Sequence, residues 1–433
     1  MSNLLVKNAW ILTLDEQATV FPDGYIRCKN GIITEIGEGE PEAQEGEEIL
    51  DARRFFLLPG LINGHTHSAM VFLRGKADDL PLKEWLEKHI WPMEREFVTP
   101  ELIRHSVRLA CLEMLKGGTT TFCDMYFFQE ETAEVVKEVG MRALLGEGII
   151  DFPTPSAKTP EEGLKKAQRF IERWRSDEHI RPIVAPHAPY SCSEKTLKLC
   201  REMADHYRVP IQIHLAEEQW ERLQFIQRYG HSSVVFLEKI GFFSGGWVNA
   251  AHCNWLDDED IRILKRTGTG VSHNPESNMK LATGICRVTD LLREGVFVGL
   301  GTDGAASNND LSLWGEMRSA SFLAKITQKD PSALPAPLAL SLATRLSAIS
   351  LHQTDIGYLK TGMKADFILV NPVAPHLTPV WNPFSLLVYS GNASDVDTVV
   401  VGGKILMKNR QVLTVDEEKI RNDFLSYLRS RLS

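Results

Sequence analysis

Between about residue 100 and residue 300, short apolar runs alternate with amphipathic helical stretches, and this alternation constrains the fold more than any other feature. The helical stretches include Glu101 to Lys116, Pro160 to Arg175 and Ser193 to His206. The apolar runs are Thr119 to Cys123, Arg142 to Leu145, Ile180 to Ala185, Pro210 to Leu215, Val248 to Ala251 and Val296 to Leu300. Strand and helix in alternation build βαβ units around a parallel sheet. About eight such units in roughly 300 residues make a (β/α)₈ TIM barrel more economical than an open doubly wound sheet. No GxGxxG or GxxxxGK[ST] fingerprint follows a strand, so a dinucleotide or nucleoside triphosphate fold has no support.

The two ends of the chain have a different character. Leu4 to Leu14 is β-rich, and Tyr25 to Cys28 reaches Ile32 to Ile36 through Lys29-Asn30-Gly31, a hairpin signal. Near the other end Asp366 to Val370 reads as a strand, and Val396 to Val401 and Lys404 to Met407 flank Gly402-Gly403. These ends are expected to pair into a small β-sandwich domain, residues 1–58 with 356–433, around a barrel at 59–355. Asp416 to Leu432 reads as a closing helix. Seven scattered cysteines form no CxxC pair, so neither a disulfide framework nor a thiolate zinc site is indicated. The net charge of -9 argues against a nucleic-acid or anionic-membrane binder. With no apolar run long enough to span a bilayer and no signal-peptide pattern, a cytoplasmic location is expected.

The chemistry-bearing residues stand where predicted strands end, which is where barrels of this type place reactive groups. Phe55 to Ile62 leads to His65-Thr66-His67, and a period of two puts both imidazoles on one face. Further strands end at His187, at His214 with Glu217 three residues on, at His252, at His273 and at Asp303. One such histidine alone is more readily a packed or solvated side chain. The set together points to a divalent metal, which imidazole and carboxylate donors suit. By contrast His89, His105, His179, His206, His231, His352 and His376 fall in helices or loops and read as surface or packing residues.

At these residues the chain resembles the amidohydrolase superfamily and, within it, the methylthioadenosine/S-adenosylhomocysteine deaminases, relatives of the triazine chlorohydrolases. The resemblance rests on Pro59 to His67, Leu73-Arg74-Gly75, Ala77 to Leu82, Trp91-Pro92-Met93-Glu94, His187 to Tyr190 and His214-Leu215-Ala216-Glu217. It continues through Ala251-His252-Cys253, Ser272 to Pro275 and Gly301-Thr302-Asp303-Gly304. It implies a barrel with a β-sandwich from both ends, and hydrolytic deamination of adenosine-type nucleosides at C6. It further implies that His65, His67, His214 and Asp303 hold one divalent ion per subunit, zinc by preference and ferrous iron as the alternative. Glu217 corresponds to a proton shuttle and His252 to the histidine on the hydrolytic water; for hydrolysis on such an ion, Asp303 is expected to take the water's proton while its other oxygen contacts the metal. Glu94 and His187 correspond to substrate-binding positions beside Glu217 and Asp303, with Glu94 at the ribose. His273 is expected to line the same mouth, without an assigned role.

One departure stands out. Some members carry an arginine after the strand at Leu144-Leu145, where this chain reads Gly146-Glu147-Gly148. That puts recognition of a charged homocysteine tail in question. Guanine-type nucleobase deamination and halotriazine dechlorination are the alternatives on the same metal site, and an inactive barrel scaffold is the non-enzymatic one. The HxE…PCxxC signature of the small zinc deaminases is absent. The expected partner is a small nucleoside, with no nucleic acid or membrane involved, and the chain is expected to form a homo-oligomer.

Overall fold

Asn30 and Gly31 both take positive φ, 52° and 79°, which two-residue hairpin turns require and which Asn and Gly supply at little cost. Around that turn the computed structural model, which describes residues 3–432, pairs β2 (Val20–Lys29) with β3 (Ile32–Glu38). On the other side of β2 lies β1 (Asn3–Leu12), antiparallel, and alongside β1 run β4 (Glu48–Asp51) and β5 (Phe56–Pro59), both parallel to it.

The C-terminal strands β15 (Phe367–Val370), β16 (Val396–Val401), β17 (Lys404–Lys408) and β18 (Gln411–Val412) form an antiparallel meander. Gly402 and Gly403, at φ 56° and 70°, make the same kind of turn between β16 and β17. The two ends meet at β5 and β15, where Leu58 lies opposite Ile368 in antiparallel register. All nine strands thus belong to one hydrogen-bonded sheet. Its residues alternate between two buried clusters. Leu57, Phe367 and Leu369 pack with Leu4, Val6, Ile26 and Ile33 on one face, and Phe56, Leu58 and Ile368 face the larger core on the other.

Gly60 carries the chain directly out of this sheet. A Cβ there would lie 2.2 Å from Thr120 Oγ1, so only glycine permits the crossing. The parallel strands follow: β6 (Leu61–Thr66), β7 (Thr119–Tyr126), β8 (Arg142–Ile149), β9 (Ile180–Pro182), β10 (Ala185–Pro186), β11 (Ile211–Leu215), β12 (Val248–His252), β13 (Gly270–His273) and β14 (Val298–Leu300). The β8 strand runs past the expected Leu145, because Gly146 sits against Ala185 where a Cβ would come within 2.6 Å of that residue's own.

Every pairing among these strands is parallel. A bridge from Val184 to Ile211 joins β6–β10 to β11–β14. Beyond β14 the chain returns to β6 through Asp303 N–H donating to His65 O at 3.0 Å, so the sheet curls back on its first strand.

The connecting helices begin where their caps direct. Thr99, Thr159 and Ser193 accept from the backbone N–H three residues on, opening Pro100–Lys116, Pro160–Trp174 and Glu194–Tyr207. The closing helix Glu417–Leu432 docks on Pro100–Lys116 through Tyr427 and Thr99. Among the described residues no helix is long and apolar enough to cross a membrane.

Candidate metal centre and substrate cavity

A register irregularity between Asn63 and Thr66 interrupts the alternation of β6, so that His65 turns toward Gln212 beside the inward Gly64, and His67 follows just past the strand's end. Gly64 lets this strand approach β13 and β14, since a Cβ would come within 2.7 Å of Ser272 Oγ and 2.9 Å of Leu300 O. His214 near the end of β11, His252 closing β12 and Asp303 after β14 reach the same point. Donor atoms of His65, His214, His252 and Asp303 lie within 4.8 Å of one another. His67 joins them, its Nε2 3.2 Å from His214 Nε2 and 3.3 Å from Asp303 Oδ1. His252 is therefore as close to the cluster as the four residues expected to hold an ion.

The far side of each ring is fixed. His67 Nδ1 meets Met125 O at 2.6 Å, His214 Nδ1 meets His187 O at 2.7 Å and His65 Nδ1 meets Gln212 Oε1 at 3.0 Å. Carbonyl oxygens only accept, so each Nδ1 carries its proton and each Nε2 turns a lone pair to the centre. Outer contacts of this kind set tautomer and orientation in metal sites. The fit to a divalent cation shows at His65 Nε2, a fully buried atom with no hydrogen-bond partner. Such an orphan is costly unless something occupies its lone pair. Asp303 has the complementary arrangement: Oδ2 accepts from Ser277 Oγ at 2.6 Å and Ser307 Oγ at 2.8 Å, leaving Oδ1 for the cluster.

Burial opposes ionisation of Asp303, yet the His65 and His67 imidazoles hold its carboxyl well below the usual range. His67, against its own burial, is raised by Asp303 to about 9, so a proton and a cation compete for this position. Burial lowers His65, His214 and His252, keeping them neutral. Burial, reinforced by the charge of Asp303, pushes Glu217 well above the carboxylate range, and its Oε1 lies 3.7 Å from His252 Nε2. Ala216, His252 and Asp303 are held at φ 49°, 72° and 56°, conformations non-glycine residues keep only where the surroundings impose them.

Above the cluster opens a cavity. His187, Glu217 and Glu94 all line it. Glu94 lies on the helix Trp91–Phe97, not in solvent: it accepts from Tyr126 OH at 2.7 Å, and burial raises it to about 7. His187, held through Nδ1 by Ser191 Oγ at 2.8 Å, is lowered to about 3 by burial and the neighbouring imidazoles. Its wall is apolar, from Met70, Leu82, Trp85, Leu86, Ile90 and Trp91. Nothing in the sequence marked that segment as a wall.

His273 is a correction. It does not line the mouth; its ring faces a separate cavity with Cys286, Val288 and Leu323. The reason is strand phase, since Ser272 is the inward residue of β13, donating to Gly64 O at 3.0 Å and Asn249 Oδ1 at 2.9 Å. Glu147 also has a structural post: its carboxylate accepts from Phe128 N and Gln129 N, at the start of the helix Gln129–Val139.

Residues 56–406 match the model of the amidohydrolase family. The 5-methylthioadenosine/S-adenosylhomocysteine deaminase 1 of Syntrophus aciditrophicus is 46% identical over 418 residues, 96% of this chain and 94% of the relative. The 5'-deoxyadenosine deaminase of Methanosarcina mazei is 46% identical over 97% of this chain and 96% of its own. Among solved structures, a zinc-bound adenosine deaminase from Xanthomonas campestris superposes with TM-score 0.95 at 34% identity, covering 99% of this chain and 98% of that one. Atrazine chlorohydrolase from Arthrobacter aurescens TC1, at 24% identity and TM-score 0.91 over 98% and 99% of the two chains, shares the fold. With its histidines and Asp303 gathered at the ends of parallel strands and these relatives along nearly its whole length, the chain belongs to the amidohydrolase family.

Proposed function

We propose that this chain hydrolyses the C6 amino group of adenosine-type nucleosides, releasing ammonia and the inosine analogue. The observation that carries the reading is the buried Glu217, kept protonated beside the histidine–Asp303 cluster at the floor of a cavity that also holds Glu94. Relatives named for this chemistry at 46% identity support it. In this reading His65, His67, His214 and Asp303 hold one zinc ion, and His252 stays free for the reaction. The finer architecture proposed is a (β/α)₈ barrel at 59–355 and a β-sandwich domain from 1–58 and 356–433, supported by the pairing of both ends in one sheet.

The ion, when bound, lowers the pKa of a coordinated water toward about 7 and so supplies the nucleophile at neutral pH. Asp303, its Oδ1 facing the cluster and its Oδ2 held by Ser277 and Ser307, accepts the water's proton. His252, through Nε2, orients the water toward C6. Glu217 donates a proton to ring N1 as C6 is attacked, so the ring does not accumulate a full negative charge. The exocyclic nitrogen then leaves as ammonia, taking the proton that Asp303 received from the water, while the C6 hydroxyl returns a proton to Glu217 as the carbonyl forms. Glu94 holds the ribose hydroxyls and His187 the purine edge.

The test is ammonia release over a panel of nucleosides and free bases; turnover of guanine or a halotriazine with no adenosine-type turnover would overturn the reading. Glu94→Gln is expected to raise KM for nucleosides more than it lowers kcat, because a ribose contact is made in ground and transition state alike. Adenine, which has no ribose, is expected to be little affected. Equal damage to both would remove Glu94 from the ribose. Among the described residues no lysine or arginine lines the inner cavity, while three carboxylates do. We therefore expect kcat/KM for S-adenosylhomocysteine to fall about tenfold or more below that for methylthioadenosine, since a tail carboxylate desolvated without a partner is costly. Comparable values would show that the tail finds a cation elsewhere.

A further inference from the structure

Because His273 faces outward, β13 sends no titratable side chain into the cluster. Its contribution comes one turn later, from the short helix Pro275–Lys280. There Ser277 Oγ donates to Asp303 Oδ2 at 2.6 Å, and the adjacent Asn278 accepts through Oδ1 at 2.9 Å from His252 Nδ1. Asn278 Nδ2 in turn donates to Asn254 Oδ1 at 2.8 Å. Asn254 Nδ2 donates to the backbone oxygen of Glu217 at 3.0 Å and to Thr283 Oγ1 at 3.2 Å.

The amide chain is wholly internal: Asn254, Asn278 and Thr283 are 6%, 1% and 1% exposed. Glu217 is gripped from the other side as well, its N–H donating to the Glu221 carboxylate, which also accepts from Ala216 N. In a buried chain each group has its partner only if every other stays in place. The chain joins two backbone segments that are both held at positive φ, residues 252–253 and residue 216.

We infer that Asn278 and Asn254 are positioning residues that hold His252 and Glu217 as one unit. Asn278, with Asn274 Nδ2 3.3 Å from the same Nδ1, holds the ring with its Nε2 toward Glu217, and Asn254 sets the depth at which the Glu217 loop meets that ring. This rests on the deaminase reading in which His252 and Glu217 act on the water and the ring. The chain touches neither substrate nor the reacting atoms, so its loss is read through the two residues it places.

The experiment compares full-length Asn278→Leu with wild type, measuring kcat, KM, metal content and thermal stability on methylthioadenosine, each also in a Glu217→Gln background. Asn278→Leu is expected to lower kcat about 100-fold, with KM and metal content held, as misplacement of reacting groups does. In the Glu217→Gln background most of that loss is expected to disappear, because residues acting as one unit do not multiply their effects. A merely structural role would lower stability while leaving the two losses multiplicative. Thr283→Val, which removes the hydroxyl that Asn254 leans on and keeps the shape, repeats the test if Asn278→Leu does not fold. A retained kcat, losses that multiply, or a loss that tracks metal content would each overturn the inference. Failure of the deaminase reading itself is separate, showing as no ammonia release from methylthioadenosine by the wild-type protein.

Discussion

His214→Ala is expected to purify with little bound metal and to lose nearly all turnover. The His214 ring stands at the centre of the cluster, with His67 Nε2 3.2 Å away and its own Nδ1 anchored on His187 O. An alanine there removes one of three proposed imidazole donors. His187, the adjacent ring, keeps its Nδ1 on Ser191 and is lined up with the cavity instead. Changes to outer contacts alone weaken metal binding about 10–100-fold, so loss of a direct donor is expected to exceed that range. Metal analysis of the purified variant checks it, with circular dichroism to show that the fold persists. Full occupancy with full activity would remove His214 from the donor set and return His252, equally close, as the candidate.

Glu217→Gln is expected to separate proton transfer from metal binding. The glutamine keeps the volume of the buried carboxyl and its place 3.7 Å from His252, but it has no acid proton to deliver to N1. Turnover should fall about 10²–10⁴-fold, the usual span of general acid–base help, while metal content and KM stay near wild type. The physical ground is the burial and the charge of Asp303, which together keep Glu217 protonated. A variant that keeps its turnover would assign N1 protonation to another group. One that loses metal would place Glu217 in the coordination shell.

What could be read without the structure had local causes. Asn30-Gly31 and Gly402-Gly403 dictate their turns because only residues tolerant of positive φ close a two-residue hairpin. His65, His67, His214, Glu217, His252 and Asp303 stand at strand ends recognisable from the runs before them. The proximity of Glu94 and His187 to these groups came from resemblance and not from any pattern in the residues.

The sequence by itself thus determined the order of strands and helices, the hairpin turns and the titratable set, since each depends on neighbours a few positions away. Only the tertiary structure decided that β5 pairs with β15 across 300 residues of intervening chain, that Ser272 and not His273 faces inward, and that Leu82 to Trp91 walls the cavity. It also decided the burial that raises Glu217 and the hydrogen-bond partners of Gln212, Asn254, Ser277 and Asn278. Strand phase, burial and hydrogen-bond partners arise when distant segments pack, and a buried amide or carboxyl takes its meaning from the groups brought against it.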